Sequence, residues 1–218
     1  MTAPARLFDL GQTVAHRLRL PGVFSVEQCV LVETDHPPPA TRGLKDLSIR
    51  VATAPDVTAL AALDERNPEQ FERRLARGDV IYLGELEREV VCATCFHVGP
   101  APFDEEQTLY ARWRLGDAAT YWSYDAMART EVRSLGVVAK LFEVALGQLF
   151  RERGARRIRG FIHHWNAPSR MLHERLGFRT LGTLTAIGIP GLKWLRWNDG
   201  GSRRTWLVPR GSPLAFPP

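Results

Sequence analysis

No apolar run in the 218 residues approaches the roughly 20 that a membrane-spanning helix needs, so no helical membrane span is expected. Cysteine is scarce, and Cys29, Cys92 and Cys95 cannot all pair, whereas a secreted domain more often carries an even set. A secretory signal is missing as well. In the N-terminal stretch MTAPARLFDLGQTVAHRLRLPG, Leu7, Leu10, Val14 and Leu18 share one helical face among charges and form no continuous apolar core. These absences together predict a cytoplasmic protein. Metal-site spacing is lacking too: CATC at 92–95 has no second cysteine pair or histidine cluster and reads as a coincidence inside an apolar strand. There is no zinc-finger spacing, basic heptad, RNA-recognition signature or internal repeat, which argues against nucleic acid as a partner.

What is present is an ordinary globular composition, 44% hydrophobic and 24% charged, in a length suited to one main domain with terminal extensions. The net charge of +5 and the excess of arginine over lysine suit an anionic ligand, and the cluster RERGARRIR at 151–159 reads as a solvated helix end. Residues 1–43 read as an N-terminal extension and linker: a helix, the apolar strand CVLVET, and the proline-rich break DHPPPATRG. The main domain is expected over 44–190, followed by a basic, tryptophan-containing tail at 191–218. Within the main domain LSIRVAT alternates like a strand, and two helices follow, the second over PEQFERRLARG. VIYLGEL and EVVCATCFHVG then form a hairpin around Glu87 and Arg88. The segment 100–120 has no clean period and reads as a substrate-shaping insertion, and YWSYDAMARTEV resumes an extended pattern.

The extended stretch runs into EVRSLGVVAKLFEVALGQLFRERG, a helix with Val138, Leu141, Phe142, Ala145 and Leu149 on its buried side and Gly154 as its stop. A strand feeding a glycine turn that opens a helix leaves backbone N–H groups pointing outward with the positive end of the helix dipole behind them. That arrangement binds anions. Gly136 lets a phosphate approach the main chain, and Arg133 can add a charge-assisted contact. The strand RRIRGFIHH comes next, then NAPSRMLHERLGF, where Asn166 can cap a helix with proline in its first turn and Gly177 can end it, and then the strand RTLGTLTAIGI.

This order of elements over roughly 47–189, together with RSLGVV and NAPSRMLHERLGF at their separation, resembles the GNAT superfamily of acyl-coenzyme A dependent N-acyltransferases. The family patterns are Gln/Arg-x-x-Gly-x-Gly/Ala and Asn-x-x-Ala/Ser-x-x-x-Tyr-x-x-x-Gly-Phe. The resemblance implies an α/β fold with a mixed, splayed sheet flanked by helices, here carrying an N-terminal helix-strand extension. It implies acetyl-coenzyme A as co-substrate, with pyrophosphate near Arg133, Ser134, Leu135, Gly136, Val137 and Val138. Pantetheine would pair along Ala128, Arg129, Thr130 and Val132, with Asn166 beside it. Val138 departs from the pattern at the second small position and would crowd the phosphate. His173 stands where the family has a tyrosine, so it is the expected proton donor to the departing thiolate. A backbone N–H around residues 127–129 would hold the oxyanion. Asp125 and Glu131 are the candidate bases, with Asp125 ranked ahead, and a bulge in the strand would turn one of them to the other face.

The activity implied is transfer of an acetyl or other short acyl group to a primary amine, on a small molecule or a peptide, by direct attack. Two alternatives stay open. One is a longer-chain acyltransferase, with Phe103, Tyr110, Trp113, Tyr121 and Trp122 lining a wider pocket. The other is a coenzyme A binding module without turnover. The N-terminal unit is expected either to cover the acceptor cleft or to form a homodimer contact.

Overall fold

The computed structural model describes residues 25–41, 44, 46–63, 65–98, 112–114, 117–189, 192–209 and 213–215. The expected N-terminal helix and most of the 100–120 segment, including Phe103 and Tyr110, lie outside the described residues. The chain forms β1 (Ser25–Thr34), β2 (Ser48–Val51), α1 (Val57–Ala62), α2 (Pro68–Ala76), β3 (Val80–Leu86) and β4 (Glu89–Val98). It continues through β5 (Arg112–Arg114), β6 (Thr120–Ala128), α3 (Val137–Glu152), β7 (Arg157–His163), α4 (Ala167–Arg175) and β8 (Arg179–Ile189). The last strands are β9 (Leu192–Asn198), β10 (Arg203–Pro209) and β11 (Pro213–Ala215).

Local chemistry accounts for most boundaries. Asn67 caps α2 by accepting the Glu69 N–H at 3.0 Å, and Asn166 caps α4 by accepting that of Ser169 at 3.2 Å. The β3–β4 hairpin turns at Glu87 and Arg88, both at positive φ as a two-residue hairpin turn requires. Among the described residues, nine strands join in one sheet in the order β10-β9-β8-β1-β7-β6-β4-β3-β2. All its neighbours are antiparallel except β6 and β7, which are parallel and joined by the crossover helix α3.

Both faces of the sheet are apolar, as helices on both sides require. Val57, Leu60, Ala61 and Phe71 of α1 and α2 pack with Cys29, Leu31, Ile81 and Trp122 on one face. Leu141, Phe142, Ala145 and Leu149 of α3 pack with Val30, Tyr82, Phe96 and Ile162 on the other, with Leu172 and Leu176 of the α4 region beside them. Cys92 and Cys95 fall on opposite faces, so CATC is indeed part of a strand and no ligand pair. The aromatic wall expected of Tyr121 and Trp122 is largely core: both are buried, and the Tyr121 hydroxyl donates to the Arg153 carbonyl at 3.1 Å.

The division at 43 and 190 does not match the sheet. β1, expected in an extension, is an interior strand between β7 and β8, antiparallel to both. Its Glu33 is buried and accepts from its two cross-strand neighbours, Arg159 on β7 at 2.7 Å and Arg179 on β8 at 2.8 Å. Burial alone would raise the Glu33 carboxyl, but these bonds outweigh it and hold the group below its ordinary range. The expected tail likewise supplies β9 and β10, which extend the sheet, and β11, which pairs in parallel with β5.

Candidate functional site

β6 and β7 run in register from Thr120↔Arg157 to Ser123↔Gly160 and then part. Gly160 makes the last close pair possible, since a Cβ there would stand 3.1 Å from the Ser123 carbonyl oxygen. Beyond it, β6 bulges: Asp125 and Ala126 together oppose Thr94, between the pairs Cys95↔Tyr124 and Ala93↔Met127, and Asp125 sits at φ 58. The parted strands leave a cleft of about 130 Å³ running between the two faces of the sheet. Asp125 and Trp122 on β6, His163 on β7, and Asn166, Ser169 and His173 of the α4 region line it.

The turn before α3 differs from the extended stretch expected over 128–132. Only Ala128 belongs to the strand, and residues Thr130–Leu135 form a 3₁₀ turn, with Glu131 and Arg133 exposed and Val132 packed against the core. Gly136, at φ 75 and ψ 13, then starts α3 from the left-handed region, a conformation that glycine adopts without strain. The first bond within α3 runs from the Lys140 N–H to the Gly136 carbonyl at 3.1 Å, so the amides of Val137, Val138 and Ala139 lie in the turn that has no acceptor within the helix. The Val138 side chain, expected to crowd that turn, is partly buried against the core. Arg133 folds back, its Nε donating to the Ala128 carbonyl at 2.9 Å, and Arg129 pairs with Glu89 at 2.6 Å.

The expected oxyanion donors separate by ladder geometry. The Arg129 N–H is taken by the Val91 carbonyl at 2.9 Å. Alternation along an antiparallel pair then turns the N–H of Ala128, opposite Cys92, to the cleft side of β6.

Asn166 and His173 meet on the cleft wall, as the second motif implies, but His173 is poorly suited to the donor role expected of it. Its Nδ1 donates to the Ser169 carbonyl at 2.8 Å, and a carbonyl can only accept, so neutral His173 presents a lone pair at Nε2. The ring is buried edge-on between Phe142 and Phe178, with centroids at 5.2 and 4.8 Å. Burial lowers its pKa, opposed by the Ser169 bond, and favours this neutral form. Neutral His173 can therefore only accept at Nε2.

Neither candidate base is set for the role expected of it. Glu131 is exposed in the 3₁₀ turn and is not among the residues lining the cleft. Asp125 is at the cleft, but its Oδ2 accepts from Arg66 and from Arg74 of α2, and its side chain is only 2% exposed. That oxygen is already committed to two guanidinium groups. A second buried cluster adjoins it. There Asp79 accepts from His97 at 2.7 Å, from Arg77 and from the Tyr124 hydroxyl. Burial opposes ionisation of Asp79, but those three partners hold its carboxyl below the ordinary range.

His163 was not among the candidates read from sequence. It is half-buried, opposite Cys29 of β1, with Nδ1 at 3.5 Å from Sγ, and the exposed indole of Trp165 stacks on it with centroids 5.3 Å apart at 17°. The only local signal for it is its place at the end of a strand that precedes an asparagine-capped helix.

No family model and no curated protein matches the chain. Among solved structures, a GNAT-family protein from Novosphingobium aromaticivorans DSM 12444 aligns with a TM-score of 0.54 at 19% identity, over 78% of this chain and 68% of that one. A GCN5-related N-acetyltransferase from Sphaerobacter thermophilus aligns at 0.54 and 14% identity over 93% of this chain. A GCN5-related N-acetyltransferase from Kribbella flavida aligns at 0.53 and 16% over 82%. The chain spans 58% and 64% of the lengths of these last two. The fold is therefore the GNAT fold, a mixed, splayed sheet flanked by helices.

Proposed function

We propose that the chain is an N-acyltransferase that moves an acetyl or other short acyl group from coenzyme A to a primary amine. The observation that carries this reading is the splay of β6 from β7 beside the glycine-started head of α3, with both motifs converging on one cleft. The residues fit the co-substrate. The amides of Val137, Val138 and Ala139, with Arg133 nearby, suit a pyrophosphate, and the freed edge of β6 over 124–128 suits the amides of a pantetheine arm. Asn166 and His173 flank that arm, with His173 Nε2 able to accept a hydrogen bond from it.

In this reading the thioester supplies an activated acyl carbon. The amine nitrogen attacks it while the carbon–sulfur bond breaks. The Ala128 N–H faces the cleft near the developing oxyanion. With no acid among the described lining residues in position to serve, the departing thiolate takes its proton from solvent. The acceptor is a small molecule or a peptide and approaches from the α1/α2 face, since the α3/α4 face takes the donor. The three cysteines, all buried free thiols, suit a reducing cytoplasm.

Release of free thiol from acetyl-coenzyme A in the presence of a panel of primary amines tests the reading, and the dependence on donor chain length sets the acyl class. Coenzyme A binding without thiol release under any acceptor would favour a binding module. The neutral, carbonyl-held His173 is the feature that speaks for that second reading.

A further inference from the structure

Three side chains on the cleft wall other than His163 can carry or move a proton: Asp125, Tyr124 and His173. Asp125 is held by Arg66 and Arg74, the Tyr124 hydroxyl donates to Asp79, and the ring of His173 is sealed between two phenyl groups with Nδ1 fixed on a carbonyl. A base that turns over must also return its proton to water. Among the described residues, His163 alone combines a place on the cleft with partial exposure and a partner that fixes neither tautomer.

That partner is the Cys29 thiol. A carbonyl accepts only, whereas a thiol both donates and accepts weakly by rotating its S–H. Nδ1 of His163 can therefore accept from Cys29 or donate to it, and Nε2 can alternate between a lone pair and an N–H without any heavy atom moving. Burial, with a smaller effect from the Glu27 charge, pushes the Cys29 thiol up to about 12, so it keeps its own proton throughout. Trp165 covers one face of the imidazole and Cys29 its Nδ1 edge. Among the described residues, the charged and titratable groups near the ring include Cys29 of β1 with Glu27 acting on it, Asp125 of β6 with Arg66 and Arg74 on it, and His173 of α4 on the same cleft.

We infer that His163 is the base that takes the proton of the acceptor amine, an assignment that rests on the acyl-transfer reading of the cleft. As the nitrogen–carbon bond forms, the amine proton passes to Nε2. The electron pair of the breaking carbon–sulfur bond leaves on the thiolate. The imidazolium then releases its proton to solvent, and the thiolate takes one up, so the turnover is proton-neutral. His163 stands on the α1/α2 face and His173 on the α3/α4 face, so the base lies on the acceptor side of the thioester.

The test uses the full chain in two ways. Histidine ring nitrogen resonances, assigned with His163→Gln, report the tautomers: His163 should populate both, while His173 keeps its proton on Nδ1. A His163 fixed in one tautomer overturns the assignment. Turnover is then measured with acetyl-coenzyme A and the primary amines 2-phenylethylamine and spermidine. His163→Gln should lower kcat by about 10²- to 10⁴-fold and abolish the acid limb of the pH–rate profile, while calorimetric affinity for acetyl-coenzyme A holds. Cys29→Ala, which keeps the imidazole but removes its Nδ1 partner, should displace that limb and lower kcat by less than His163→Gln does; an unmoved limb counts against the role given to Cys29. Turnover that survives His163→Gln with its limb intact overturns the assignment alone. No turnover in the wild type with either amine overturns it together with the acyl-transfer reading, which acetyl-coenzyme A binding tests separately.

Discussion

On the α3/α4 side of the sheet His173 is gripped by a carbonyl and two phenyl rings, while on the α1/α2 side His163 touches a thiol and an exposed indole. The same side chain thus becomes a fixed acceptor in one wall of the cleft and a mobile proton carrier in the other. The walls differ in charge as well. The α1/α2 side holds the buried cluster of Arg66, Arg74, Arg77, Asp79, His97 and Asp125, whereas the α3/α4 side is mainly apolar around its helix head. A neutral wall that grips a long donor and a polar wall that receives an amine are the division of labour that this asymmetry suits.

The largest effect should come from breaking the polar wall. Asp125→Ala removes the carboxylate shared by Arg66 and by Arg74, which is 1% exposed, and at a position with φ 58. Chemical denaturation should show a loss of about 3–5 kcal/mol, the usual cost of removing one member of a buried pair. A loss under about 1 kcal/mol would mean that the arginines do not depend on it.

A smaller effect is expected at the seam between the walls. Glu33→Gln should cost about 1–3 kcal/mol at neutral pH, since two charge-assisted bonds to Arg159 and Arg179 weaken. The Glu33 pKa is depressed in the fold, so its stabilisation is complete above the unfolded value of about 4.3 and disappears as pH falls through the folded one. The variant should therefore show a flatter acid arm in a stability–pH curve, and an unchanged arm would contradict the clamp.

The smallest and sharpest effect concerns His173. Its pKa is lowered in the fold, so below about 6.5 the unfolded chain binds a proton that the native chain does not, and stability falls as pH drops from there. His173→Phe should remove that slope and leave kcat within about tenfold, below the range of a general acid. A larger drop in kcat, with an altered alkaline limb, would restore His173 as a donor and erase the contrast between the walls.

The sequence made one half of this comparison readable. RSLGVV and NAPSRMLHERLGF mark the α3/α4 wall because their work is local: a left-handed glycine, an asparagine cap, and apolar spacing along one helix. The family resemblance allows for a bulge on β6, but nothing local shows that Asp125 is spent on arginines, since Arg66 lies 59 residues away. His163 escaped for the same reason, as its partner Cys29 is 134 residues distant. Long-range pairing also hid β1: nothing in CVLVET says which strands it will join. In β9, Leu195 and Trp197 are buried on either side of half-exposed Arg196, a period-two signal too short to stand out from the basic tail around it.

Calorimetric titration of acetyl-coenzyme A into the wild type and into Gly136→Glu tests the central claim, that an acyl-coenzyme A lies in the splay with its pyrophosphate on the head of α3. The glutamate puts bulk and negative charge where phosphate would sit, and circular dichroism checks that the variant, strained at φ 75, stays folded. The account predicts saturable binding at one site per chain in the wild type and none in the folded variant. No heat in the wild type at millimolar ligand, or equal affinity in the two proteins, would contradict it.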